Sequence, residues 1–100
     1  MPDKIKHYVL SEAADIDIDA IFDYTEREHS FNQAIKYLLS LEIVFENLVK
    51  NPKIGRTRND IKIGLYSITE QEHVIFYRIL KNHVRIVRVL HGSKDIPKQF

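Results

Sequence analysis

Residues 85–95, "RIVRVLHGSKD", read as an apolar strand, yet Arg85, Arg88 and His91 interrupt it and Lys94 follows the Gly92-Ser93 break. A guanidinium in such a run can hold a carboxylate or a phosphate, and an imidazole can pass a proton or ligate a metal. Arg78, in the preceding "HVIFYRIL", adds a third guanidinium. A three-residue hairpin loop at "KNH" would set His73 opposite His91, two imidazoles side by side at the far end of the hairpin. The same pairing puts Arg78 and Arg88 on one sheet face with Val74, Phe76, Leu80, Val84, Ile86 and Leu90. It puts Arg85 on the other face with Ile75, Tyr77, Val87 and Val89. An arginine among apolar neighbours must find an acceptor or reach water, because an unpaired buried charge is too costly. Two outcomes stay open for each arginine. It bridges to a helix carboxylate, or it faces outward for a partner's carboxylates or phosphates. Arg56, Arg58 and Lys62 read as loop charges.

Other patterns weaken on inspection. Asp15, Asp17, Asp19 and Glu26 fall at positions 1, 3, 5 and 12 of a calcium loop, but Ala20 stands where the sharp turn requires glycine. The stretch is better read as a helix whose early aspartates suit its positive end. Five histidines show no HExxH or similar metal spacing. No nucleophile motif, phosphate-binding glycine loop or RNA-binding aromatic signature is present. Catalytic, cofactor and metal sites are therefore not expected.

The elements that must position these residues follow from periodicity. "KIKHYVL" is a strand candidate ending at Ser11, which can cap a helix over about 12–28 with Ala14, Ile18, Ile21, Phe22 and Thr25 on one face. Ser30 with Gln33 three residues on is a capping box. It opens a second helix whose stripe is Ala34, Tyr37, Leu38, Leu41, Val44, Phe45 and Leu48. Asn51-Pro52 stops that helix, since a residue before proline is pushed out of the α region. "NPKIGRTRNDIKIG" is a polar, basic loop, and three strands follow: "LYSIT", "HVIFYRIL" and "VRIVRVLH". The chain reads as one α+β domain over 1–100, β-α-α-β-β-β, with a helical hairpin packed on a small, mostly antiparallel sheet.

Composition bounds the rest. The chain is 44% hydrophobic with three Gly and three Pro, which excludes disordered and collagen-like classes. It has no cysteine, so there is no disulfide scaffold or thiolate metal site, and a reducing cytoplasm is expected. The first residues hold no apolar run suited to a signal peptide or a membrane span. Net charge is +1 but uneven. Residues 1–30 hold three Lys/Arg against eight Asp/Glu, and residues 51–100 hold ten against four. A basic half attracts nucleic acid or an acidic protein segment, or is simply solvated.

Assembled, these segments resemble the ParE branch of the RelE/ParE toxins of bacterial type II toxin–antitoxin systems. "YVLSEAADIDIDAIFDYTER" is similar to its opening, with Leu10-Ser11, Asp17-Ile18, Ile21 and Tyr24 in register. "QAIKYLLSLE" is similar to its second helix through Ala34, Tyr37 and Leu41. "NPKIGRTRNDIKIGLYS" and "HVIFYR…VRIVRVLHGSKD" resemble its loop and terminal hairpin. Two departures stand out: Ser30 where many members have Gly, and Tyr66 where many have Arg.

The resemblance implies a toxin that poisons DNA gyrase by trapping its cleaved DNA complex, is not an enzyme, and is neutralised by a ParD-like antitoxin. Plasmid or genome maintenance and stress response are the implied settings. Membrane association, and nucleic-acid binding by the chain alone, are not expected. Two alternatives remain: a ribosome-dependent, mRNA-cleaving RelE-like toxin, and a non-toxic antitoxin-binding module. The RelE branch uses Lys and Arg on the sheet and a C-terminal Tyr or its equivalent. The corresponding positions here read Ser67, Val74 and Phe100, and only Lys94 keeps a charge. The residues expected to meet antitoxin or target are Arg56, Arg58, Arg78, Arg85, Arg88, His91, Lys94, Lys98 and Phe100. The tail after Gly92-Ser93 is expected to lie over the surface, contributing little to the core.

Overall fold

The computed structural model describes residues 4–100. Strand β1 (His7–Leu10) runs into Ser11, whose hydroxyl accepts from the Ala14 N–H and caps α1 (Glu12–Glu28). The same hydroxyl donates to the Val87 carbonyl at 2.7 Å, tying the helix start to the last strand. Ser30 repeats the cap for α2 (Phe31–Lys50), accepting from Gln33 N–H at 3.0 Å. Only His29 and Ser30 separate the helices, so they fold back on each other as a hairpin.

Four more strands complete one sheet: β2 (Arg56–Thr57), β3 (Tyr66–Glu70), β4 (His73–Ile79) and β5 (His83–His91). Their order is β1-β5-β4-β3-β2, with β1 parallel to β5 and every other pair antiparallel. The expected β-α-α-β-β-β order holds, with one addition. Arg56 and Thr57, expected in a loop, pair with Ser67 and Tyr66. A two-residue strand carries no periodicity, so nothing in the sequence marks it.

The helices cover one face of the sheet. Tyr37, Leu41, Phe45 and Leu48 of α2 pack with Ile75, Tyr77, Val84, Ile86 and Val89. A smaller cluster of Leu65, Phe76 and Leu90 lies on the outer face. Tyr77 locks the segment after α2, donating to the Pro52 carbonyl and accepting from Gly55 N–H. A Cβ at position 55 would collide with the Tyr77 hydroxyl and the Ser67 carbonyl oxygen, so glycine is required there by close approach.

The β4–β5 ladder departs from the expected register at one point. His73 lies opposite His91, and pairing runs regularly to Phe76 opposite Arg88. Tyr77 then meets Ile86, which leaves Val87 as the extra residue of a β-bulge. Beyond it every side chain of β5 changes face. Val84 and Ile86 turn into the helix-side core, and Arg85 comes to lie opposite Arg78 on the outer face. Both are corrections to uniform pairing. The turn also tightens to Lys81-Asn82, with Leu80 N–H donating to the His83 carbonyl.

Candidate functional site

A groove of about 950 Å³ opens between the helical hairpin and the far end of β4–β5. Ile21, Tyr24 and Val89 supply apolar walls, while Glu28, Glu72 and Lys94 stand among its charged groups. At its base the Tyr37 hydroxyl donates to the Glu70 carbonyl at 3.1 Å and lies 2.6 Å from His73 Nδ1. Burial, with Glu70 and Glu72 nearby, pushes the Tyr37 phenol up to about 12. Burial first, then the neighbouring His91, lowers the His73 imidazole, and Glu72 opposes them. The two imidazoles meet edge to face with centroids 5.4 Å apart. His91 is exposed, 2.7 Å from Ser93 Oγ through Nδ1 and 3.5 Å from Glu72 through Nε2. No group of three or more His, Cys, Asp or Glu among the described residues could hold a metal ion.

The arginines gather elsewhere, on or beside the outer face. Arg56 is exposed on β2. Arg58 is half-buried, bonded to both carboxylate oxygens of Asp60 and to Ser67 Oγ, with its guanidinium 5.7 Å over the Phe76 ring. The hydrogen bond from Arg58 holds the Asp60 carboxyl below its usual range. Arg78 donates to the Ile63 carbonyl at 2.9 Å, steadying a loop in which Gly64 takes φ +84°, a left-handed conformation open to glycine. Arg85 is exposed beside it.

Arg88 is different. Its Nε and Nη2 grip both oxygens of Asp17 on α1 at 2.8 and 2.9 Å, and Val89 N–H donates to the same carboxylate at 3.0 Å. Of the two outcomes open for this arginine, the helix carboxylate holds. The tail also departs from expectation. Ile96–Gln99 form a 3₁₀ turn that lays Ile96 and Phe100 over the outer cluster, with Phe100 edge-on to Phe76 and Gln99 O accepting from Arg88. Lys94 and Lys98 remain exposed, Lys98 3.8 Å from Asp95.

The nine expected residues therefore divide. His91 and Lys94 border the groove, Arg56, Arg58, Arg78 and Arg85 share the outer side, Arg88 and Phe100 hold the tail and α1 in place, and Lys98 stands exposed on the tail beside Asp95. Tyr37 was legible only as a helix-stripe residue, and Tyr24 only through the family resemblance. Nothing in their spacing shows that Tyr37 reaches a histidine 36 positions away.

Comparison with known proteins places this architecture. The family model described as "ParE toxin of type II toxin-antitoxin system, parDE" matches residues 8–96. Toxin ParE1 of Mycobacterium tuberculosis is 33% identical over 94 residues, covering 93% of this chain and 96% of the relative. Toxin ParE1 of Caulobacter vibrioides is 34% identical over 91 residues, covering 91% and 94%. A chain of the solved "Chromosomal ParDE TA system from P. aeruginosa" shares the fold, with a TM-score of 0.76 over 87% of this chain and 96% of that one at 18% identity. With sequence and fold matched over nearly the whole chain, this protein belongs to the ParE toxin family of type II toxin–antitoxin systems.

Proposed function

We propose that this toxin acts in the cytoplasm by inhibiting DNA gyrase, trapping its cleaved DNA complex, and that a ParD-like antitoxin neutralises it. The match to curated toxins along 94–96% of their length carries this reading. The solved neighbour belongs to a ParDE system, which supports an antitoxin partner. The groove between helices and sheet suits a segment with apolar anchors. Tyr24 and Ile21 receive the anchors, with Glu28, Glu72 and Lys94 at its rim to select charge.

The mechanism is inhibitory binding rather than catalysis. Phosphate-ester cleavage needs cations for developing charge and groups that exchange protons. At the positions that resemble the ribonuclease branch stand Ser67, Val74 and Phe100, and the Phe100 ring is turned against Phe76. Among the described residues no helix is long and apolar enough to cross a membrane. Supercoiling and DNA-cleavage assays with purified gyrase test the proposal beside a ribosome-dependent mRNA-cleavage assay. Gyrase inhibition with accumulated cleaved DNA and intact mRNA is expected. Cut mRNA would overturn the non-enzyme assignment, and uninhibited gyrase would overturn the target.

A further inference from the structure

At the outer face of the sheet Asp60 is taken by Arg58, and the strands themselves add no counter-charge. Strand alternation and the registers put Arg56, Arg78, Arg85 and Arg88 on that face, and they put no Asp or Glu there. Glu70, the acidic residue within a strand, pairs with His73 on the helix side. Asp17 occupies Arg88. Arg78 and Arg85 are direct cross-strand partners, an arrangement of like charges that costs stability. The Arg78 side chain donates to one loop carbonyl, and the Arg85 side chain makes no hydrogen bond or ion pair among the described residues. Val9, next to Arg85 in the same row, is apolar. Only the bulge at Val87 produces this pair, since uniform pairing would send Arg85 to the opposite face. The fold thus places two guanidiniums side by side, and no carboxylate among the described residues pairs with either.

We propose that Arg78 and Arg85, with Arg56 beyond them, bind the phosphate backbone of duplex DNA. The contact goes beyond gyrase inhibition; its use, at the DNA held in the cleaved gyrase complex, rests on that reading. Phosphate suits the site because guanidinium forks pair with its oxygens in two-pronged fashion. Unstacked single strands fit poorly. Phe76 is buried and Phe100 lies edge-on against it, so the face presents no aromatic platform for bases. An acidic peptide fits less well too, because β4 and β5 are interior strands whose backbones are already paired and offer it no ladder. Backbone contacts of this kind position a protein without reading sequence.

The test uses the full chain, without gyrase, and a short fluorescein-labelled duplex followed by anisotropy at several salt concentrations. The wild type should bind with a dissociation constant on the order of 10⁻⁵ M, weakening steeply with salt. Arg85→Ser should lower the slope of log affinity against log salt by about one unit. Arg85→Glu gives Arg78 a carboxylate, so it should raise the melting temperature while weakening DNA binding about tenfold or more. Opposite signs in the two readouts separate a ligand site from a merely structural arginine. Absent binding, or variants that bind like the wild type, would overturn the proposal. So would tighter binding of single-stranded DNA of the same length, or of polyglutamate. Gyrase inhibition by a wild type that binds no DNA would sink this inference alone, and DNA binding without gyrase inhibition would sink the target alone.

Discussion

Asp17 accepts from Arg88 Nε, Arg88 Nη2 and Val89 N–H, so one carboxylate closes the edge of β5 where β1 has ended. Arg88→Ala leaves that carboxylate partly buried and short of two donors. The pair retains some water, with side chains 21% and 12% exposed, so the expected cost is about 2 kcal/mol, below that of a fully buried pair. Urea denaturation measures it, and a loss under about 0.5 kcal/mol would show the pair to be solvated. His73 sets a pH dependence. Its folded imidazole titrates below the ordinary 6.5, chiefly through burial and then through His91. The unfolded chain therefore takes up that proton first, so stability is full above 6.5 and declines as pH falls through the folded value. His73→Gln should flatten that acid-side decline in melting temperature, and an unchanged profile would assign it to other groups. The arginines and the His73–His91 pairing were legible from spacing. The Tyr37 contact was not, because long-range partners leave no periodic trace.

Elements were readable where local chemistry dictates them. Ser11 and Ser30 cap the helices, Asn51-Pro52 stops the second, and β-branched, aromatic runs between short links give β4 and β5. The bulge at Val87 escaped because no local signal marks it, and what the Val87 carbonyl bonds to is tertiary, the Ser11 hydroxyl. The tail was misjudged for a related reason. Its anchors, Ile96 and Phe100, have targets more than twenty positions upstream or across the sheet in Phe76 and Leu65. Deleting residues 94–100 should therefore cost about 2 kcal/mol by uncovering the outer cluster. A truncated toxin that fails on gyrase would reveal nothing about contact. Lys94→Ser with Lys98→Ser is the cleaner change, since both side chains are exposed. It should keep the melting temperature and weaken gyrase inhibition several-fold, and unaltered inhibition would remove the tail from the target surface.

At the scale of the molecule, charge is segregated along the chain, acidic through α1 and basic from residue 51 onward. Such fields steer encounter, whereas apolar anchors in a groove hold what has docked. Raising salt should slow antitoxin association far more than it speeds dissociation, as stopped-flow and displacement kinetics would measure. A dissociation rate climbing steeply with salt would mean that ion pairs, not anchors, retain the partner. The charge asymmetry and the family were both legible before any coordinates. The groove needed them, because its walls come from both helices and the end of the hairpin.

The parallel contact between β1 and β5 joins residues 7–10 to residues 83–86. A ribosome delivers the first of these early and the second near the end. Until β5 emerges, the face under α2 lacks Val84, Ile86 and Val89, β1 has no strand partner and Asp17 has no Arg88 to hold. Nascent chains of increasing length should therefore resist protease only once His91 has cleared the exit tunnel. Earlier resistance would point to a stable helical subdomain. Assembly is thus scheduled by topology: a message cut short anywhere before the last strand yields a chain without the partner of β1 or of Asp17, and the fold closes only near the end of translation.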